Sequence, residues 1–196
     1  MARTGRRPGN QDTREEILAA ARQAFAERGY DGASIRQIAT GAGVDPALVH
    51  HYFGTKDDLF LAALQVPIDP AKLLPEVLAP GPDGIGERLV RMFLGIWDSP
   101  VGTTAAAVLR SALSHDWSAR MVRDFLTTQI LRRVTKALDL DPKEAPLRTS
   151  LVASQMGGLA LVRYIVRIEP LASAPAETVV AAVGPTVQRY LTGPLQ

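Results

Sequence analysis

The chain has 196 residues, 46% of them hydrophobic and 21% charged, with a mean hydropathy of +0.04. That composition argues against a disordered chain and against a helical membrane protein. The sequence contains no cysteine, which excludes a disulfide, a thiol nucleophile and a zinc–thiolate centre and makes the cytoplasm the expected compartment. The net charge of +2 hides an asymmetry, because up to Lys56 there are 8 Lys and Arg against 6 Asp and Glu, whereas beyond it 14 oppose 14. The excess begins with Arg3, Arg6 and Arg7, a short basic arm that is either a solvated tail or a contact to nucleic acid. Asp12, Glu15 and Glu16 follow it, so no secretory signal is expected. The longest uncharged apolar run, Met156 to Val162, falls far short of a bilayer span.

Taken in order, Thr13 with Glu16 is a capping box, opening a helix whose apolar residues Ile17, Leu18, Ala21, Ala24 and Phe25 recur at helical spacing up to a stop at Gly29. Ser34 with Gln37 opens a short second helix that ends in Gly41-Ala42-Gly43. Asp45-Pro46 is an N-cap with proline at the first helical position, opening a third helix that runs to about Phe53 and Gly54. Thr55 with Asp58 opens a fourth, through Leu64. Five prolines between Pro67 and Pro82 forbid one continuous helix there, leaving a connector with about one helical turn at Leu73 to Leu78. Helical patterns resume over Ile85 to Trp97, Thr103 to His115, Ala119 to Leu138, Arg148 to Ile168 and Glu177 to Leu191, with Pro185 expected to kink the last. No period-2 pattern competes, so the expected fold is all-α with about nine helices.

Two short helices joined by a Gly-Ala-Gly turn after a longer one is helix-turn-helix geometry. The second of the pair could enter a major groove with Pro46 and Ala47 near the bases, while His50, His51 and Tyr52 reach phosphates or base edges. Lys56 opens the fourth helix, where the helix dipole disfavours a cation. A phosphate there would be held by the lysine together with the free helix N–H groups, whereas simple exposure would explain the residue equally well.

The run Ser34-Ile35-Arg36-Gln37-Ile38-Ala39, then Gly41-Ala42-Gly43-Val44, then Leu48 through Phe60 (LVHHYFGTKDDLF) resembles the Tet-repressor (TetR) family of bacterial transcriptional regulators, over about residues 13 to 64. The resemblance implies Ser34 and Lys56 as phosphate contacts and puts Arg36, Pro46, Ala47, His50, His51 and Tyr52 on the DNA-facing side, with Tyr52 partly in the core. His50 departs from the tyrosine most members carry; it can still donate to phosphate, through a shorter and pH-sensitive contact. The resemblance also implies that the arm at Arg3, Arg6 and Arg7 reaches an adjacent minor groove.

For the remainder, the resemblance implies a helical bundle that forms a homodimer and encloses an effector pocket, and the composition points to a small, largely apolar effector. The expected organisation is a basic arm (1–12), a helix-turn-helix domain (13–54), a connecting helix (55–66), the Pro-rich connector (67–84) and an effector-binding and dimerisation domain (85–196). Met92, Phe93, Trp97, Phe125, Met156 and Tyr164 are pocket candidates, with Trp117 and Met121 as further large soft residues and Arg110 and His115 as groups that could orient a polar ligand. Ordinary core packing is the competing reading for each apolar one. Leu151, Gly157, Gly158, Leu161, Val183, Val187 and Tyr190 are candidates for a two-fold interface of four helices, two from each chain; Gly157-Gly158 could equally pack closely within one chain.

Neighbouring Ser114-His115-Asp116 cannot form a catalytic triad, adjacent His50-His51 cannot chelate one metal, and no phosphate-binding glycine loop is present. No enzyme, cofactor or metal is expected. The function expected is a ligand-responsive repressor of a near-palindromic operator. The alternative is a helical small-molecule-binding or scaffolding protein that has lost DNA binding.

Overall fold

The computed structural model describes residues 9–66 and 68–195, with side chains from Asp12 onward. The segments are α1 (Gly9–Gly32), α2 (Ile35–Gly41), α3 (Pro46–Phe53), α4 (Lys56–Leu64), α5 (Pro70–Leu78), α6 (Ile85–Trp97), α7 (Val101–Ser114), α8 (Asp116–Asp124), α9 (Arg132–Ala137), α10 (Ala145–Ala160) and α11 (Ala176–Thr192). A π-helical segment, Phe125–Leu131, joins α8 to α9, and a second, Leu161–Val166, extends α10. Counted as continuous rods, these make ten helices, and there is no strand among the described residues.

Local signals account for α2, α3 and α4 and for the break in α1. Ser34 and Thr55 each form a complete capping box, with Gln37 and Asp58 respectively, and the Asp45 carboxylate accepts from the Ala47 N–H at 2.7 Å. Gly29 breaks α1 with φ 72° and ψ 174°, a conformation open to glycine at little cost. The Tyr30 N–H just beyond it donates to Asp124 Oδ2 at 2.7 Å.

Two expectations change. The first helix is already helical at Gly9, so Thr13 lies inside it rather than capping it, and residues 9–12 belong to helix rather than arm. The Pro-rich connector holds a nine-residue helix, α5. Pro70 takes the first position, where a missing N–H costs nothing, Asp69 caps Ala71 N at 2.9 Å, and only Pro75 deletes an interior bond. Arg88 of α6 then closes the far end of α5, donating from Nε to Val77 O at 2.8 Å and from its terminal nitrogens to Gly81 O and Asp83 O.

The chain builds two apolar cores. The first joins Ile17, Leu18, Ala21, Phe25, Ile38, Val49, Phe53, Leu59 and Phe60 of the N-terminal helices to Met121 and Phe125. The second joins α5, α6 and α9–α11 through Leu74, Ile85, Val90, Leu94, Val134, Val152, Val180 and Val187. Within it α6 and α11 form the largest helix–helix contact. Their backbones meet at glycine: a Cβ on Gly86 would lie 2.2 Å from Gly184 O, and one on Gly184 would lie 2.7 Å from Glu87 Cγ.

Gly86→Val should therefore lower stability by about 1–3 kcal/mol, as overpacking does, read as a fall in thermal midpoint of about 2–4 °C per kcal/mol. Gly95, in the same helix, has no atom within 4 Å of its would-be Cβ. Gly95→Ala should raise the midpoint instead, by up to about 1 kcal/mol of helix propensity.

Candidate nucleic-acid interface and apolar cavity

Helix α3 is amphipathic over two turns. Val49 and Phe53 are buried and fasten it to the first core, while Ala47, His50 and His51 are exposed and Pro46 and Tyr52 are half-buried. Tyr52 packs against the core, with its ring 5.6 Å from that of His51 and 6.3 Å from that of Phe53. His50 Nδ1 lies 2.8 Å from Gly54 O. A carbonyl can only accept, so Nδ1 carries the proton and Nε2 of the neutral ring has only a lone pair to offer outward; donation to a phosphate requires the imidazolium.

Ser34 and Arg36 are exposed. The Ser34 hydroxyl is engaged in its capping box, accepting from Gln37 N at 3.3 Å and donating to Gln37 Oε1 at 2.9 Å. Lys56 is half-buried, with its Nζ 4.4 Å from the centroid of the Tyr30 ring. Its unfavourable place at a helix N-terminus thus has an internal counterweight, a cation–π contact supported by Asp57 and Asp58 in the same turn. Arg3, Arg6 and Arg7 lie outside the described residues.

Behind this surface is a polar seam that no sequence signal announced. The Tyr30 hydroxyl donates to Asp57 Oδ1, Gln129 Nε2 donates to the same oxygen at 3.2 Å, and Arg133 Nη2 lies 3.3 Å from Oδ2. Arg132 pairs with Asp31 at 2.7 Å, and Arg120 donates to the carbonyls of Ala26 and Glu27 at the end of α1. Burial, then the Asp57 carboxylate beside it, pushes the Tyr30 phenol up to about 12. Burial alone would raise Asp57; the hydrogen bonds from Tyr30, Gln129 and Arg133, with the Arg133 charge, outweigh it and hold the carboxyl below its ordinary range.

Between the two cores lies a cavity of about 250 Å³. Met92, Phe93, Trp97, Phe125 and Met156 line it, and among the described residues Thr149 is its one hydroxyl-bearing side chain, spent on Ala145 O at 2.7 Å. Leu64 at the end of α4, with Val66 and Ile68, closes one side.

Three pocket candidates are not brought there. Tyr164 stacks on Trp97 from outside the lining, with centroids 5.1 Å apart, and donates to Asp98 at 2.8 Å. Arg110 and His115 sit exposed on the far side of α7 and its end, since the helix turns its apolar Ala105, Val108 and Leu109 to the cavity. Trp117 and Met121 line a separate cleft.

Among the interface candidates Val187 is wholly buried in the chain's own core, because α11 turns that face onto α6; it offers nothing to a partner. Leu151, Leu161, Val183 and Tyr190 are half-buried. Gly157 and Gly158 are exposed, with no atom within 4 Å of a would-be Cβ on either, so they do not serve close packing within the chain.

Comparison with known proteins assigns this arrangement to a class. Residues 17–63 match the family described as bacterial regulatory proteins, tetR family, and residues 83–191, more than half the chain, match the Tetracyclin repressor-like C-terminal domain. A TetR-family regulator from Streptomyces coelicolor A3 is 45% identical, with 96% of this chain and 99% of that one covered at a TM-score of 0.48. The HTH-type transcriptional repressor AcnR of Corynebacterium efficiens is 46% identical over 59 residues, and the HTH-type transcriptional regulator BetI of Brucella anthropi 48% over 52. These matches span 30% and 27% of those curated relatives' own lengths. The chain belongs to the TetR family of bacterial regulatory proteins.

The seam yields a pH prediction. Tyr30 is raised above its unfolded value of 10.0, so its contribution to stability is complete below about pH 10 and is lost as pH rises through about 12. Asp57 is depressed, so its contribution is complete above the ordinary carboxylate range and is lost as pH falls through its native value. Denaturant unfolding of wild type and Tyr30→Phe should show the wild-type advantage shrinking over pH 10 to 12.

Proposed function

We propose that the protein is a cytoplasmic, ligand-responsive transcriptional regulator, most simply a repressor, that binds a near-palindromic operator as a homodimer. The observation that carries this reading is α3, held to the core by Val49 and Phe53 and capped by Asp45, with its small and imidazole side chains left exposed. Pro46, Ala47 and His51 would approach base edges, while Ser34, Arg36, His50 and Lys56 would meet phosphates. Release would follow when an apolar molecule in the cavity favours a different placement of α4, whose Leu64 lines it. Nothing in the reading calls for catalysis or a cofactor.

The dimer is supported by an unfilled face. The rod Ala145–Val166 is 22 residues long and largely apolar, yet only 28% of its most apolar stretch is buried. Leu147, Leu151, Ser154, Gly158 and Leu161 recur along it at spacings of three and four, and Leu147 is 57% exposed. On α11 the exposed Thr178, Ala182, Pro185 and Arg189 repeat the same spacing with mostly small residues. Two copies meeting on these faces would bury well over about 1,000 Å².

Lys56→Ala should weaken binding to all DNA sequences alike and lower the slope of log affinity against log salt by about one. Ala47→Leu should instead change which operators are selected. An unchanged affinity and salt slope for Lys56→Ala, measured by fluorescence anisotropy, would remove α4 from the interface. Leu161→Arg should give helical monomers without specific operator binding, seen by sedimentation; Val187→Arg should unfold the chain.

A further inference from the structure

A cleft of about 310 Å³ lies where α1 and the end of α4 meet α7 and α8. It shares only Leu64 and Val108 with the apolar cavity, and its chemistry differs. Arg22 is the one charged residue in its lining. The Arg22 Nε donates to Ala63 O at 3.2 Å, which satisfies a carbonyl at the end of α4 and fixes the guanidinium plane. Its terminal nitrogens have no acceptor among the described residues.

Ser118 is 3% exposed and lines the cleft, yet its hydroxyl makes no hydrogen bond among the described residues. The oxygen is not sealed away either, since among the described residues the one buried, unpartnered side-chain atom is Arg163 Nε, outside this cleft. Thr104, Ser111 and Gln65 also line the cleft, and their side chains make no hydrogen bond among the described residues. These groups are open to hydrogen bonds from a ligand in the cleft. Trp117, 47% exposed, supplies a flat apolar wall.

We propose that this cleft is a second ligand site, for a small aromatic carboxylate. The paired terminal N–H groups of a fixed guanidinium match a carboxylate bidentately. One cation with no acidic neighbour in the lining balances a single negative charge, whereas a phosphate dianion would be left half-neutralised. The Trp117 face takes the ring, and the Ser111, Ser118 and Thr104 hydroxyls can bind ring substituents or the second carboxylate lone pairs. The volume is at the lower end of the range of about 300–1,000 Å³ for ligand sites, fitting a single ring. A molecule there would bridge α1 and α4 to α7 and α8. The binding claim itself stands apart from the DNA-binding reading.

The test uses the two tryptophans. In the full-length Trp97→Phe variant Trp117 is the only one left, and its emission is followed during titration with benzoate, benzamide or inorganic phosphate. Benzoate should give a saturable change; benzamide and phosphate should each bind at least tenfold more weakly. On the same background Arg22→Gln should weaken benzoate at least tenfold and Ser118→Ala severalfold. Ser118→Ala deletes one oxygen and leaves the Arg22 contact to α4 intact, so it decides the matter should Arg22→Gln disturb the fold. Equal binding of benzamide and benzoate overturns the proposal, as does phosphate binding as tightly as benzoate, which would mean a plain anion site. Benzoate affinity unchanged in Ser118→Ala, or no saturable change at all, also overturns it.

Discussion

Five of the nine residues of α4 are buried: Leu59, Phe60, Leu61, Ala63 and Leu64. A helix this short has no independent stability, so its position is whatever its neighbours impose. At its N-terminus it carries Lys56 and stands on the Tyr30–Asp57–Arg133 seam; at its C-terminus Leu64 closes the apolar cavity and Ala63 is held by Arg22. Phe60 packs edge-on to Phe25 of α1, with ring centroids 4.9 Å apart, so α4 cannot shift without carrying the first core with it. The rest of the molecule is arranged around that dependence. The first core places α3, and the π segment between α8 and α9 holds both Gln129 on the seam and Phe125, Leu126 and Ile130 on the cavity.

Most of the secondary structure was legible because its signals are local. Ser34 with Gln37, Asp45 with Pro46, Thr55 with Asp58, and Gly29 each act on backbone groups within three residues or on their own φ, and no distant contact could overrule them. For α5 the number of prolines misleads and their position decides, because Pro70 stands in the first turn, where its missing N–H costs nothing. Long-range pairings were invisible in principle. Tyr30 and Asp124 are 94 positions apart and Asp57 and Arg133 are 76 apart, and neither partner of either pair implies the other.

The candidate site divides along the same line. The residues of α3 stood out because an amphipathic pattern two turns long tells which side chains cannot be core. Met92, Phe93 and Trp97 line the cavity and stand out in the sequence as large soft side chains, but pattern alone does not separate a lining position from filled core. Where two helices are apolar on several faces, pattern does not say which face a chain keeps for itself. Val187 went to α6 and Leu147 stayed outside for a reason resident elsewhere: Gly86 and Gly184 let α6 and α11 approach along one particular line, and that choice decides what remains uncovered.

The π segment Phe125–Leu131 amounts to one residue more than an α-helix of the same span would hold. Each residue of an α-helix advances the azimuth by roughly 100°, so everything after the segment is turned by about that much relative to α8. This rotation allows one rod to give Met121 to the first core, Phe125 to the cavity, and then both Val134 to the second core and Arg133 to Asp57. In evolutionary terms the cavity wall and the seam are geared together by a length, not by a composition. A lineage that lost a single codon here would re-aim the seam residues and the cavity wall at one stroke, while point substitutions could only alter them one at a time.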